Sequence, residues 1–357
     1  MTVIHQKMRT KEVFMSKTLR FLGRWTSVFL VLPLLCFTGC GTNGPKYMLI
    51  TNGVSPFWDA MVKGMQEEAK QLHVNADWRG PNPSENTVQI QMFNDALAAH
   101  VDGIGLSAID PNGITPTINK AVDSGLPVIC FDSDAPNSKR LAYLGTNNYE
   151  AGYIAGKAAL KLFPHGGKLV AFVGTMSQDN ARQRYNGFLD AIKGSNVQFI
   201  APPYQDNQDK GMARSNVQDA ITRYMSKGLN GLVGLYSYNG PAIIAALQAQ
   251  NLRSKFKVIC FDGDPATLKG LQQGMVDLTV VQKPFQFGRL SIELLNLLHQ
   301  NHNNVDSALH QMMPELESLG MKVDMQKHTI DTGVTVVTPE NAESFINDLH
   351  AHGLSST

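Results

Sequence analysis

Two aspartates stand at the ends of two nearly identical stretches of this sequence. Asp132 closes the run PVICFD over residues 127–132, and Asp262 closes the run KVICFD over residues 257–262. Four apolar residues followed by polar and turn-forming ones are typical of a buried parallel strand that ends in a loop. A lone aspartate at such a position caps a turn. Carboxylates at two matching strand ends favour a second role, in which they accept hydrogen bonds from the hydroxyl groups of a ligand.

The similarity extends to the chain before each aspartate. Apolar runs at 103–107 and 231–236 precede Asp132 and Asp262 at nearly the same distance, with a helix-length segment in between. Strand-like and helix-like segments alternate over residues 47–282, which predicts parallel sheets with right-handed crossovers. The sequence therefore predicts an α/β protein with two similar Rossmann-like lobes.

These lobes determine where the chemically active residues meet. Ligands of open α/β sheets bind beyond the carboxyl ends of the strands, so two such lobes facing each other would enclose a cleft. The residues that follow the predicted strands, and are expected in this cleft, are Thr51, Ser55, Phe57, Trp58, Ser107, Asp132, Arg182 or Arg184, Asp206, Tyr236, Asn239, Asp262 and Gln282. Carboxylates accept hydrogen bonds from hydroxyls, Arg, Asn and Gln donate in return, and aromatic rings cover apolar C–H faces. Such a set of side chains suits a sugar.

Several of these residues also have a purely structural interpretation. Phe57 or Trp58 would serve as core at helical spacing. Arg184 would be a solvated charge on a helix, Asn239 a turn former and Gln282 a linker residue. The sequence alone leaves these interpretations open beside the ligand-binding one.

The composition narrows the class of protein. A chain of 357 residues suggests two domains, and 43% hydrophobic residues allow sizeable cores. The net charge of +1 gives no field for binding nucleic acid. The 4 cysteines suggest no disulfide framework. Cys130 and Cys260, inside the predicted strands, are interpreted as small buried apolar residues and not as metal ligands.

Residues 1–40 are expected to lie outside the fold, as a lipoprotein signal peptide. Basic residues precede an apolar run at 25–37, which has the length of a signal-peptide core and is short for a membrane span. The sequence FTGC that ends at Cys40 resembles a bacterial lipoprotein processing site, with Phe37 where leucine is usual. We expect a lipid on Cys40 and a flexible tether at 41–46. An ordinary secretory signal or an uncleaved anchor is the alternative.

Six motifs together form a pattern known from one protein family. They are SPFW at 55–58, PVICFD at 127–132, ARQR at 181–184 leading to GF at 187–188, Asn239, FDG at 261–263, and VQ at 281–282 leading to Gly288. On these motifs, the chain from about residue 47 onward resembles a periplasmic sugar-binding protein of the ribose-binding type. Such proteins are type I periplasmic binding proteins, the solute receptors of ABC importers.

The resemblance implies that a monosaccharide, either a pentose or a hexose, binds between the lobes by hinge closure and passes to an ABC permease. In this family an aromatic pair, here Phe57 and Trp58, stacks on the sugar ring. The positions that hydrogen-bond the hydroxyls correspond to Asp132, Arg184, Asn239, Asp262 and Gln282. Thr51, Ser55, Ser107, Asp206 and Tyr236 are further candidates because they follow strands.

The resemblance also carries expectations about the whole protein. It implies a monomeric receptor, held in the periplasm or at the cell surface by the lipid of Cys40, with no enzyme activity, no cofactor, no metal and no nucleic acid. It implies a three-stranded hinge with crossings near 146–148, 282–284 and 332–334. The expected domains are 47–147 plus 283–331 for lobe one, and 148–282 plus 332–350 for lobe two.

The sequence departs from the family at two places. Ser133 follows the first strand-end aspartate, where ribose receptors carry an arginine, and residues 301–327 are longer than the matching stretch of the shorter members. Loss of the arginine removes a fork of hydrogen-bond donors. The resemblance therefore implies the class of ligand without naming the sugar.

Other functions compete with this interpretation. The two aspartates would fit a glycosidase pair, but opposite lobes of a hinged cleft are a poor support for fixed acid–base geometry. The loop at 51–56 lacks the Gly-x-Gly-x-x-Gly pattern of a dehydrogenase. A repressor of the lac type would carry a helix-turn-helix where this chain has an export signal. The alternative that stays open is a receptor that feeds a sensor kinase or chemoreceptor, or that binds a signalling furanose or a nucleoside.

Overall fold

The computed structural model describes residues 44–357. The expected signal peptide, the lipid-bearing Cys40 and the start of the tether lie outside the described residues. Across residues 44–357, no helix combines the length and the apolar character needed to cross a membrane.

The first lobe is organised around a sheet whose central strands are parallel. Its elements are, in order, β1 (Lys46–Ile50), α1 (Phe57–Leu72), β2 (Asn75–Arg79), α2 (Asn86–Ala98), β3 (Gly103–Leu106), α3 (Pro111–Asp123), β4 (Val128–Phe131) and β5 (Ala142–Gly145). Side chains alternate across the sheet: Tyr47 and Leu49 belong to the hydrophobic cluster on one face, and Met48 and Ile50 to the cluster on the other. Burial on both faces explains why these strands appear in the sequence as continuous apolar runs.

The second lobe repeats this design. Its elements are α4 (Asn148–Leu162), β6 (Gly167–Val173), α5 (Asp179–Ile192), β7 (Val197–Phe199), β8 (Tyr204–Gln205), α6 (Lys210–Tyr224), β9 (Gly231–Gly234), α7 (Asn239–Gln250), β10 (Lys257–Phe261), α8 (Pro265–Gln272) and β11 (Leu278–Val281). Strands β6, β9, β10 and β11 pair in parallel at the centre of this sheet. Cys130 in β4 and Cys260 in β10 are fully buried in the two sheets, which confirms their interpretation as small apolar core residues.

The last part of the chain adds to both lobes. Its elements are α9 (Pro284–Gln300), α10 (Val305–Ser318), β12 (Lys322–Asp324), β13 (Thr329–Asp331), β14 (Thr335–Val337) and α11 (Ala342–Ala351). The first sheet has the strand order β12-β13-β5-β4-β3-β1-β2, and the second has β14-β11-β10-β9-β6-β7 with β8 beside β6. The chain therefore passes between the sheets three times: after β5, after β11 and between β13 and β14.

The two sheets are mostly parallel, as the sequence predicts, but antiparallel pairs occur at their edges. Strand β12 pairs antiparallel with β13 in a hairpin, and β14 pairs antiparallel with β11. A strand that enters a sheet from a short hairpin or from the other lobe has no crossover helix, and the parallel arrangement requires such a crossover. Residues 301–327 hold α10 and the first strand of this hairpin.

Two helices of lobe one have local features that hydrophobic periodicity does not reveal. The N-cap of α1 is Pro56, and no side chain caps this helix. The buried face of α2 is formed by Gln89, Phe93 and Ala96. The helix turns in this way because the Gln89 amide, although polar, finds three backbone partners in the interior.

Glycines allow one pair of helices in each lobe to pack very closely. A Cβ on Gly288 of α9 would clash with the backbone of α1 at Met61, and a Cβ on Gly152 of α4 would clash with the backbone of α5 at Arg184. Helix backbones can approach this closely only where the side chain is absent. These contacts set the positions of α1 and α5, the two helices whose first turns reach the space between the lobes.

Candidate ligand-binding cleft

A narrow cleft lies between the lobes, at the carboxyl ends of the central strands of both sheets. The residues that line it are Asn52, Ser55, Phe57, Trp58, Asp132, Asn180, Arg184, Gln208, Tyr236, Ser237, Tyr238, Asp262 and Gln282. A larger depression of about 640 Å³ opens to solvent elsewhere, beside residues that precede β3 and β4. We place the site in the cleft because charged side chains are buried there and need partners.

Asp132 and Asp262 end their strands in the same way. Both residues adopt the left-handed backbone conformation, with φ of 57° and 65°. Each backbone N–H donates to the neighbouring strand: Asp132 N to Leu144 O in β5 at 3.1 Å, and Asp262 N to Val280 O in β11 at 2.9 Å. Non-glycine residues rarely adopt this conformation, and aspartate is one of those that tolerate it best. The repeat in the sequence thus corresponds to a repeated turn that presents a carboxylate at each wall of the cleft.

The Asp132 carboxylate is held by lobe one. Its Oδ2 accepts hydrogen bonds from Ser107 Oγ at 2.7 Å and from Asn52 Nδ2 at 3.2 Å. Burial raises the pKa of Asp132 to about 6, although the Arg184 guanidinium and the Ser107 hydroxyl act in the opposite direction. A carboxyl group in this state is costly to keep ionised unless further donors reach it.

The Asp262 carboxylate is held by Gln282. Both the backbone N–H and the side-chain amide of Gln282 donate to it at 3.2 Å. Burial raises the pKa of Asp262, and the nearby Arg184 opposes this rise. The Oε1 atom of Gln282 is buried without a hydrogen-bond partner within the described residues, so this amide still has an acceptor to offer to a ligand.

Arg184 supplies the positive charge between the two carboxylates. It lies on α5 and is only 2% exposed. Its Nε donates to Asn148 Oδ1 and its Nη1 to Leu235 O, both at 2.8 Å, and its guanidinium packs over the Phe261 ring at 4.9 Å. Its Nη2 has no hydrogen-bond partner in residues 44–357. A buried, unpaired donor costs free energy, and a ligand oxygen in the cleft would remove that cost.

Phe57 and Trp58 form the aromatic part of the wall. Their rings meet edge to face at 4.8 Å, and Trp58 packs perpendicular to Phe131 at 5.9 Å. Both side chains line the cleft and also belong to the hydrophobic cluster of lobe one. The structural and the ligand-facing interpretations of this pair are therefore compatible, because a core-packed ring gives a rigid apolar surface.

Four of the candidate residues lie directly behind the wall. Asn239 donates to Asp206 Oδ2 at 2.9 Å, and Asp206 Oδ1 accepts a hydrogen bond from Tyr238 at 2.6 Å. Burial raises the pKa of Asp206 to about 7 against these hydrogen bonds. Ser107 donates to Asp132, and Thr51 donates to Gly53 O. These side chains position the residues that line the cleft. The candidates Ser55 and Tyr236, in contrast, line the cleft themselves.

Sequence reasoning missed several lining residues. One of them is Asn180, whose Oδ1 lies 2.9 Å from the Tyr236 hydroxyl, which also contacts Gln178 Oε1. Two more are Gln208 and Asn52, since Gln208 Nε2 donates across the cleft to Asn52 O at 3.2 Å. The other residues missed are Ser237 and Tyr238. Asn52 could have been found, because it lies two residues after the end of β1. The loop of Gln208 follows the two-residue strand β8, which leaves no periodic signal in the sequence.

Ser133 and Arg182 stay outside the cleft. Ser133 is fully buried, and its hydroxyl has no hydrogen-bond partner within the described residues. Arg182 pairs with Asp179 at 2.8 Å on the surface of α5. Of the two arginines that the sequence offered, Arg184 is therefore the one at the cleft.

Known proteins with a similar sequence and fold agree on one family. Residues 47–303 match the family described as periplasmic binding protein domain. The xylose/arabinose-binding protein of Sulfolobus acidocaldarius is 24% identical over 254 residues, which are 66% of this chain and 61% of that relative. The ribose import binding protein of Bacillus subtilis is 24% identical over 296 residues, 76% of this chain and 92% of the relative.

A solved structure shows the same architecture. An ABC transporter solute binding protein from Burkholderia graminis, determined in complex with D-arabinose, superposes with a TM-score of 0.75. It is 27% identical in sequence, and the match covers 85% of this chain and 98% of that structure. The two-lobed α/β fold predicted from the sequence is thereby confirmed.

Proposed function

Because the chain belongs to the periplasmic binding protein domain family, we propose that it binds a monosaccharide between its lobes and delivers it to an ABC-type importer. The observation that carries this proposal is the pair of buried carboxylates, one from each lobe, with the Arg184 guanidinium near both. Sugar hydroxyls donate to carboxylates and accept from arginine at the same time. A ligand that contacts both lobes stabilises the closed form by those added contacts.

Relatives support the sugar class. The proteins of similar sequence are named for xylose, arabinose and ribose, and the solved neighbour holds D-arabinose. Pentoses and hexoses share vicinal hydroxyls and an apolar ring face, which Phe57 and Trp58 would cover. We propose Phe57, Trp58, Asp132, Arg184, Asp262 and Gln282 as the contacts to the ligand, with Asn239 acting from behind the wall.

The family also bears on where and how the protein works. Its members are binding proteins, and periplasmic relatives indicate an extracytoplasmic location. We propose that a lipid on Cys40 holds the receptor close to its permease, where the effective concentration is high. We further propose a monomer with no catalytic step, divided into 47–147 plus 283–331 and 148–282 plus 332–350. In this division the two carboxylates belong to different moving parts.

A thermal-shift screen of the protein against pentoses, hexoses, polyols and nucleosides tests the proposal. A ligand that binds only the folded state stabilises it by RT ln(1 + [L]/Kd), about 4 kcal/mol for a micromolar sugar at millimolar concentration. We expect at least one monosaccharide to raise the Tm, and Asp262→Ala to abolish that rise without unfolding the protein. Asp59→Asn, an exposed change next to Trp58, is the control and should keep the rise. Absence of a shift with every sugar would contradict the proposal.

A further inference from the structure

A short segment after α11 is attached to lobe two beside the cleft. We call this segment, Gly353–Thr357, the strap. Gly263 N donates to Thr357 Oγ1 at 2.8 Å, and Thr357 N donates to Gly263 O at 3.3 Å. Leu354 packs against the hydrophobic cluster of lobe two. Ser356 and Thr357 are only 4% and 6% exposed, so the strap is a packed part of the molecule.

The same segment also contacts lobe one. Ser356 Oγ donates to Pro56 O at 3.4 Å. Lys63 Nζ on α1 donates to Gly353 O at 3.1 Å and to His352 O at 2.5 Å. The carbonyl groups at the end of α11 carry the negative end of the helix dipole, which a lysine neutralises. The strap is thus bonded to both lobes at once.

Its anchor points flank the residues proposed to hold the ligand. Gly263 directly follows Asp262, and Pro56 directly precedes Phe57 and Trp58. A Cβ at position 263 would lie 2.7 Å from Thr357 Oγ1, closer than side chains normally approach. The missing side chain of Gly263 therefore leaves the room that Thr357 occupies.

We propose that the strap is a latch that holds the two lobes together at the Asp262 and Trp58 side of the cleft. Its bonds to Pro56 and Lys63 form only when lobe one is close to lobe two, so they favour the closed form in the same way as a ligand does. Opening of the cleft requires that these bonds break. The latch therefore slows ligand release, an effect that rests on the proposed function, and it also makes the closed form more populated without ligand.

The test uses the full chain with Trp25→Phe and Trp78→Phe, which leaves Trp58 as the sole remaining one of the 3 tryptophans. Trp58 lines the cleft and is 3% exposed in this structure, so quenching of its fluorescence by acrylamide measures opening. Thr357→Val removes the hydroxyl that Gly263 N donates to, and Lys63→Met removes the bond to lobe one. Thr357→Ser keeps the hydroxyl and is the matched control.

We expect both disruptive changes to increase the quenching of Trp58 without any sugar, while Thr357→Ser matches the parent. With D-ribose, D-xylose and D-arabinose as probes, release of any bound sugar should be about three- to tenfold faster in the disrupted variants, as expected for loss of one hydrogen bond. Unchanged quenching in Thr357→Val and Lys63→Met, or an equal change in Thr357→Ser, would overturn the latch. If none of these three pentoses binds, the wider thermal-shift screen decides on the proposed function, and quenching alone decides on the latch.

Discussion

The carboxyl group of Asp132 is buried where water cannot stabilise its charge. Arg184 and Ser107 lower its pKa, but burial prevails and raises the pKa to about 6 from the ordinary 3.8. Unless a ligand donates to it, the ionised carboxylate lowers the stability of the folded protein. Under the proposed function, a ligand that donates to Asp132 removes this cost, so the cleft would gain affinity at the expense of stability.

This balance predicts a pH dependence of stability. Between about pH 4 and 6 the folded protein holds a proton on Asp132 that the unfolded chain has lost, so the free energy of unfolding rises as the pH falls through this window. The stabilisation is fully present below the unfolded pKa and is lost as the pH rises through the folded one. Asp132→Asn removes this pH-dependent contribution to the free energy of unfolding. We expect the difference in unfolding free energy between variant and parent to change by on the order of 3 kcal/mol between pH 8 and pH 4.

Urea unfolding of both proteins at several pH values measures this difference. Other buried carboxyl groups, such as Asp206 and Glu293 with pKa values raised to about 7, titrate alike in the two proteins and cancel. The free energy of unfolding of Asp132→Asn, relative to that of the parent, should be highest above pH 7. A difference that does not vary with pH would mean that Asp132 is not the buried acid described above.

Gln89 is a buried polar residue whose structural role was not apparent from the sequence. Its amide donates to Thr51 O at 2.9 Å and to Ser107 O at 2.7 Å, and its Oε1 accepts from Ile109 N at 3.0 Å. We expect Gln89→Leu to lower the free energy of unfolding by roughly 3 kcal/mol, because three buried backbone groups lose a partner. Gln91→Leu, on the exposed side of the same helix, should stay within about 0.5 kcal/mol of the parent. Equal effects in chemical denaturation would contradict the role assigned to Gln89.

At the scale of the elements, helix pairs fix the cleft from a distance. The contact of α4 with α5 places Arg184 against Asn148, and the contact of α1 with α9 places Phe57 and Trp58. Both contacts depend on a glycine that no larger residue can replace without moving a helix. Gly152 and Gly288, which do not line the cleft, therefore control the positions of residues that do.

Gly152→Ala tests this dependence. A methyl group at this position would push α5 away from α4, so we expect a loss of stability of roughly 2 kcal/mol and at least tenfold weaker sugar binding as Arg184 shifts. Gly211→Ala, at the start of α6 with only Asp209 Oδ1 nearby, is the matched control. It should stabilise the protein by up to about 1 kcal/mol and leave affinity unchanged. Thermal unfolding and titration calorimetry measure both quantities. If Gly152→Ala binds sugar with the affinity of the parent, the contact between α4 and α5 does not control sugar binding through Arg184.

The sequence predicted elements well where a single physical signal dominates. Buried parallel strands such as β4 and β10 produce uninterrupted apolar runs, and the strand-end rule then located Asp132 and Asp262. Strands of two or three residues, such as β8 and β12, are too short for a recognisable period. The buried face of α2 includes the polar Gln89, an arrangement that hydrophobic periodicity cannot reveal.

At the scale of the whole molecule, the internal repeat predicted two lobes, and the expected domain division placed residues 332–350 in lobe two. Strand β14 lies in this range and pairs antiparallel with β11 at the edge of the second sheet. The direction of this pairing depends on contacts between distant parts of the chain, which no local pattern encodes. Predicting the strap from sequence was impossible for the same reason, since its partners lie on Pro56, Lys63 and Gly263.

The central claim is that one ligand contacts both lobes, through Asp132 and through Asp262. Titration calorimetry with the monosaccharide that gives the largest thermal shift tests it directly, using Asp132→Asn, Asp262→Asn and the control Asp59→Asn. Loss of a charged hydrogen-bond partner in a buried site costs about 2 kcal/mol or more, so each cleft variant should bind at least roughly thirtyfold more weakly than the parent. The control should bind as the parent does. If either aspartate can be replaced without loss of affinity, the ligand does not bridge the lobes, and the central claim is wrong.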